Sequence, residues 1–266
     1  MATVHAKSKG TAVATQKQGD MVLVQDTVPD YLAGKTARGN EHVTAADVAI
    51  PRLEIVQALS PAVKRGDPGY IKGAEAGMLN NSVTRKLYGG AVNVVPVHFS
   101  MQYLVWRDRK LAEAKRLGAE GGFFGAYQSM AEASSRAEQE GGEAQAVIVQ
   151  ETPTHLCILI EPETFHWVEV IVSMPKTKAK ISRTWNALIR NESGDRFARV
   201  YEVGTTLQKS AKGDFYNYAI KTVGYPSKPL YERAEALYKQ VSAGDRRVVV
   251  DVGDQSGGGA DDQSDM

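Results

Sequence analysis

Cysteine is nearly absent: Cys157 stands alone among 266 residues, which excludes an internal disulfide framework and fits a reducing compartment. It lies in His155-Leu156-Cys157-Ile158-Leu159-Ile160, where a small buried residue is expected rather than a nucleophile. Long apolar runs are missing too. No stretch approaches the ~18 apolar residues of a membrane span, and Met1 to Gly10 lacks the apolar run of a secretory signal, so a cytoplasmic protein is expected. His5, His42, His98, His155 and His166 are scattered, with no His-Glu-x-x-His, no paired Cys-x-x-Cys and no Asp-x-Asp cluster. There is no phosphate loop, no nucleophile elbow and no kinase signature, and Gly121, Gly122 and Gly125 fail the dinucleotide spacing. Neither a cofactor nor a metal nor an enzymatic activity is expected.

What is present is an uneven distribution of charge. The formal net charge is +1. The last nineteen residues, from Val248, hold Asp251, Asp254, Asp261, Asp262 and Asp265 and no lysine or arginine, so the preceding 247 residues carry +6. Between Ile171 and Leu230 eleven basic residues face only Glu192, Asp195, Glu202 and Asp214. Such an excess favours a polyanionic partner, although a solvated cationic face with no ligand is a common outcome. The acidic end buries too little apolar surface to offset the entropy of ordering, so it is expected to stay flexible. A flexible anionic segment beside a cationic surface can occupy a phosphate-binding groove or offer itself to a basic partner; the plainer reading is a solubilising tail.

With 42% hydrophobic residues the chain supplies a real core. Residues 1–47 show no sustained period and read as a mobile arm, with one short apolar run at Met21-Val22-Leu23-Val24 available as an added strand. Residues 48–247 read as one domain. Ile50 to Gln57, Leu79 to Val83 and Ala91 to Trp106 have strand character, and Pro96 predicts an edge or a bend because it donates no ladder hydrogen bond. Residues 110–145 read as a helical insertion ending at Gly141-Gly142. Strand patterns resume at Ala146 to Gln150, and Thr154 to Ile160 with Phe165 to Met174 form a hairpin. Ile181, Trp185, Leu188 and Ile189 share a helical face. Phe197 to Thr206 and Phe215 to Thr222 form a second hairpin, and Leu230 to Val241 a last helix opened by Pro229. The sum is a mainly β chain with α embellishments. An OB-fold-like small antiparallel barrel with a helical insertion and flexible termini is the most economical architecture, and a sandwich or another α+β sheet would produce a similar string.

Nucleic-acid binding needs cations for phosphates and flat rings for unpaired bases. Lys176, Lys178, Lys180 and Arg183 lie close to Trp185, itself expected in the core beside Ile181 and Leu188. Lys209 and Lys212 flank a turn leading into Phe215-Tyr216-Asn217-Tyr218-Ala219-Ile220-Lys221. Tyr216 and Tyr218 share one face of that strand, and one aromatic face must fill the core. Tyr103, Trp106, Arg107 and Arg109 repeat the pairing of rings with cations. No basic recognition helix is evident, so an unpaired strand suits these residues better than a duplex groove. The candidate binding set is therefore Tyr103, Trp106, Arg107, Arg109, Lys176, Lys178, Lys180, Arg183, Lys209, Lys212, Tyr216, Tyr218 and Lys221, with the tail aspartates 251, 254, 261, 262 and 265 for a partner.

Ile50-Pro51-Arg52-Leu53-Glu54-Ile55-Val56-Gln57-Ala58-Leu59-Ser60-Pro61, Gly77-Met78-Leu79-Asn80, Val94-Val95-Pro96-Val97, Tyr103 to Arg107 and Ser173 to Trp185 resemble phage-encoded single-stranded DNA-binding proteins. The likeness runs from about Ile50 to Val241. It implies an OB-fold protein that coats unpaired DNA during phage replication or recombination in the host cytoplasm, with an acidic tail contacting other replication proteins. The chain departs from such tails in finishing Asp265-Met266 rather than in an aromatic residue. The competing expectation is a virion or assembly protein whose basic face and acidic tail meet other subunits.

Overall fold

The computed structural model describes residues 13–17, 20–24, 38–44, 47–107, 122–141, 147–192, 194–211 and 213–248. The chain divides into two units, Met1–Thr44 and Ala45–Met266. In the first, β1 (Val13–Lys17) and β2 (Asp20–Val24) pair antiparallel, so the apolar run at Met21 becomes one half of a hairpin. Most of the remaining N-terminal arm, and its expected mobility, lie outside the described residues, as does the acidic tail beyond Val248.

The second unit holds two antiparallel sheets. β3 (Leu53–Ile55), β4 (Leu79–Asn81) and β5 (Leu87–Tyr88) form the smaller one. The larger contains β6 (Ala91–Arg107), β7 (Phe123–Tyr127), β8 (Val147–Ile160), β9 (Trp167–Ser173), β10 (Val200–Ser210) and β11 (Gly213–Gly224), in the order β11-β10-β6-β8-β9 with β7 beside the far end of β6. Helix α1 (Met130–Gly141) lies in the insertion, α2 (Ala179–Asn191) joins β9 to β10, and α3 (Lys228–Ala243) follows β11. Among the described residues no helix is long and apolar enough to cross a membrane.

Strand β6 pairs with both β8 and β10, α2 separates the third and fourth strands of the set, and β10 and β11 close it as a hairpin; this connectivity is that of an OB-fold. The small sheet fills the gap between β9 and β11. Ile171 N–H donates to Pro51 carbonyl at 2.8 Å on the β9 side. On the β11 side the Gln57 amide pairs with the Tyr216 backbone as a peptide group would, accepting from its N–H at 2.9 Å and donating to its carbonyl at 2.7 Å. Pro96 resolves as a bend: a bulge between Pro96 and His98 shifts the register against β8. The insertion is more than a helix, because β7 adds a strand to β6 and Ala133 of α1 is buried.

Residues 152–159 of β8 are buried on both faces, which explains their unbroken apolar and neutral character. The inner face supplies Cys157 and Leu159 to a core with Val94, Val172, Tyr201, Val203 and Trp185, the last fully buried as expected. Ile181 and Ile189 pack on this core while Leu188, counted on the same face, is exposed. The outer face supplies Leu156 and Ile158 to a second layer with Val95, Ile171 and the α3 residues Leu230, Ala234 and Leu237. Pro229 in the first turn and Gly244 at φ +84° bound α3 at its two ends. Val248, placed above at the start of the tail, belongs to this layer, and its carbonyl accepts from the Gln102 side chain.

Candidate nucleic-acid interface

OB-folds commonly bind oligonucleotides on the outer face of their second and third strands. Here those strands are β8 and β9, and Leu156, Ile158 and Ile171 lie under α3. Glu169 of β9 receives Arg233 of α3 at 2.8 Å and Arg246 at 3.1 Å, pinning the helix down. Aliphatic side chains beneath a pinned helix make no phosphate surface, so this face is not available to a phosphate backbone.

The sequence-derived candidates fall into separate groups. Tyr103, Trp106 and Arg107 sit at the far end of β6, about 30 to 43 Å of strand path from Val94, where β10 pairs. There Trp106 packs on Phe123 at 4.8 Å between centroids, and Arg107 lies 5.3 Å over the Phe124 ring. Arg109 and Lys212 lie outside the described residues. Lys209 stands opposite Asp214 and Lys221 opposite Glu202 across the β10–β11 ladder, so each cation has an acidic neighbour.

Of the two candidate tyrosines of β11, Tyr218 is corrected and Tyr216 lies partly against the core. Tyr218 is 3% exposed, and its hydroxyl donates to the Leu53 carbonyl at 2.7 Å. Burial pushes that hydroxyl's pKa up, and the ring fills the barrel instead of offering a stacking face. Tyr216 is half-buried and lies so close to Gly77 that a Cβ there would stand 2.5 Å from the ring. With Ile220 on the same parity, these residues form the core side of β11. The outward side carries Ala219, Lys221 and Val223, all exposed.

Lys176, Lys178, Lys180 and Arg183 do come together, around the start of α2. Lys176 and Lys178 belong to a short 3-10 turn that leads directly into the helix. Lys176, Lys180 and Arg183 are exposed, and the Lys178 ammonium lies 5.6 Å from the Tyr218 ring centroid. Helix α2 has no acidic residue, no side-chain cap at its N-terminus and a further exposed cation, Arg190, in its last turn. Cations at the positive end of a helix oppose its dipole, an arrangement that local stability does not favour and that an incoming anion relieves. After α2, Glu192 pairs with Arg199, whose guanidinium lies 4.0 Å from the Tyr225 ring centroid. The helix is thus tied near Tyr218 at one end and near Tyr225 at the other, and its roughly 20 Å length runs beside the second half of β11.

Sequence reading missed the exposed rings. Tyr225 is 72% exposed, Phe165 73% and Trp167 42%. Within β11 the available signal was parity: once Tyr218 fills the core, Ala219 and Lys221 point outward, whereas Tyr225 lies beyond the bulge at Val223 and the end of the strand, where alternation gives no signal.

A buried polar cluster lies behind α2. Arg196 donates to His155 Nδ1 at 2.8 Å and to Asn186 Oδ1 at 3.0 Å, and His155 Nε2 lies 2.8 Å from Ser182 Oγ. Because a guanidinium only donates, His155 Nδ1 accepts and Nε2 carries the hydrogen given to Ser182. The imidazole cannot take the serine proton, so the pair is no nucleophile and base. Burial, then Arg196, holds His155 well below its ordinary pKa. Burial pushes the Cys157 thiol up to about 12. Among the described residues no group of three or more His, Cys, Asp or Glu is placed to hold a metal ion.

A family model described as Pam3 phage gp34-like protein matches residues 17–247. No curated protein and no solved structure matches the chain.

Proposed function

We propose that this chain, which belongs to the Pam3 phage gp34-like protein family and is a phage protein, binds single-stranded DNA with little sequence preference. The observation that carries the reading is the acid-free, uncapped start of α2 with Lys176, Lys178, Lys180 and Arg183 on an OB-like barrel. Those residues neutralise phosphates, and the strip they open continues along α2 to Arg190. A protein that coats unpaired DNA needs no catalytic group. The tail aspartates 251, 254, 261, 262 and 265 are proposed to compete for the same cations or to meet replication proteins.

The test is fluorescence anisotropy with a labelled ~30-nucleotide oligo(dT) and a duplex of equal length, for the native chain and for K176E/K180E/R183E. The native chain is expected to prefer the single strand, and the variant to lose at least about tenfold in affinity with a salt slope shallower by about 2. Equal binding by both proteins would remove α2 from the interface.

A second reading, an assembly protein of the virion, draws on Phe165 and Trp167, which expose apolar rings at the β8–β9 turn. It predicts a defined oligomer by light scattering, no affinity for the oligonucleotide, and dissociation by F165S/W167S.

A further inference from the structure

We infer that Tyr225 is a stacking platform for one unpaired base, an assignment that rests on the single-strand reading above and adds a ring that the sequence-derived set lacked. Tyrosine usually buries most of its ring, yet Tyr225 is 72% exposed at the end of β11. It is nevertheless held in place. Arg199 covers one ring face at 4.0 Å and is itself fixed by Glu192, while Pro226 restricts the Tyr225 backbone to extended conformations. The opposite ring face has no partner among the described residues. A rigid, half-covered ring loses little freedom when a second flat group lies on it.

The surroundings select a base rather than an apolar protein side chain. Lys221 is exposed on β11 four residues before Tyr225, and Arg190 is exposed in the last turn of α2. An apolar partner would desolvate the Arg190 guanidinium without compensation, whereas a nucleotide brings its own phosphate. Arg199 behind the ring adds the cation–π support found where bases stack on aromatics.

The experiment compares the native chain, Y225A and Y225F on labelled oligo(dT) and on the same backbone carrying abasic sites. Tyr225 is exposed, so both variants fold. The native chain is expected to bind oligo(dT) more tightly than the abasic strand, Y225A to lose about 5- to 150-fold on oligo(dT) and much less on the abasic strand, and Y225F to match the native chain. Native binding with Y225A unchanged would overturn this assignment alone. Absence of native binding to either strand would overturn the single-strand reading and this assignment with it.

Discussion

Replacing Tyr218 with phenylalanine separates a core role from a binding role for this residue. The substitution keeps the ring beneath Lys178 and removes only the hydroxyl, which donates to the Leu53 carbonyl at 2.7 Å. Leu53 is 1% exposed and belongs to β3, so the bond braces the small sheet against β11 across the barrel. No water reaches the carbonyl at this depth. The loss is therefore the net hydrogen bond plus the penalty of an orphaned acceptor, about 1–3 kcal/mol. With a urea slope of about 3 kcal/mol/M, a loss of about 2 kcal/mol lowers the unfolding midpoint by about 0.7 M. Affinity for oligo(dT), measured well below the transition, should stay within about twofold of native because nothing solvent-facing changes. An unchanged midpoint would refute the brace. An affinity loss of tenfold at unchanged stability would restore Tyr218 to the interface and refute the burial argument.

Other consequences concern packing and titration. Gly77→Ala combines φ +93° with a Cβ 2.5 Å from the Tyr216 ring, whereas Gly73→Ala has a similar φ and open space, so thermal unfolding should show a loss of about 2–4 kcal/mol for the first and about 1 kcal/mol for the second. His155 and His98 both have lowered pKa values, by burial first and then Arg196. The unfolded chain therefore binds protons that the folded one refuses. Stability should be fully present above about pH 6.5 and fall as the pH drops below it, with urea midpoints rising or staying flat from pH 7 to 5 as the contrary result. Cys157 is fully buried with its thiol raised to about 12, so a thiol reagent at pH 8 should label it only at the rate of unfolding.

The elements bounded by local chemistry were legible. Pro162 at a turn between two β-rich runs marks the β8–β9 hairpin, and the spacing of Leu230, Ala234 and Leu237 behind Pro229 marks α3. Pro96 was readable as an edge or a bend, and long-range pairing on both flanks of β6 decided for the bend. What local pattern cannot specify is which side of a strand meets the rest of the chain. Alternation put Tyr216 and Tyr218 on one face of β11, but only β3 and Gly77, more than a hundred residues away, make that face the interior. The same limit hid α3 on the outer face of β8 and β9, because an apolar strand reads alike whether a helix or a ligand covers it. The cations at the start of α2 were legible because their type and spacing in the chain suffice to group them on one turn.

The most direct test of the central claim is the salt dependence of affinity for oligo(dT), read as the slope of log K against log salt concentration. Phosphate contacts by Lys176, Lys178, Lys180 and Arg183 predict a linear fall with a slope of about −3. Binding that stays level across the salt series, or no binding at low salt, would contradict the account.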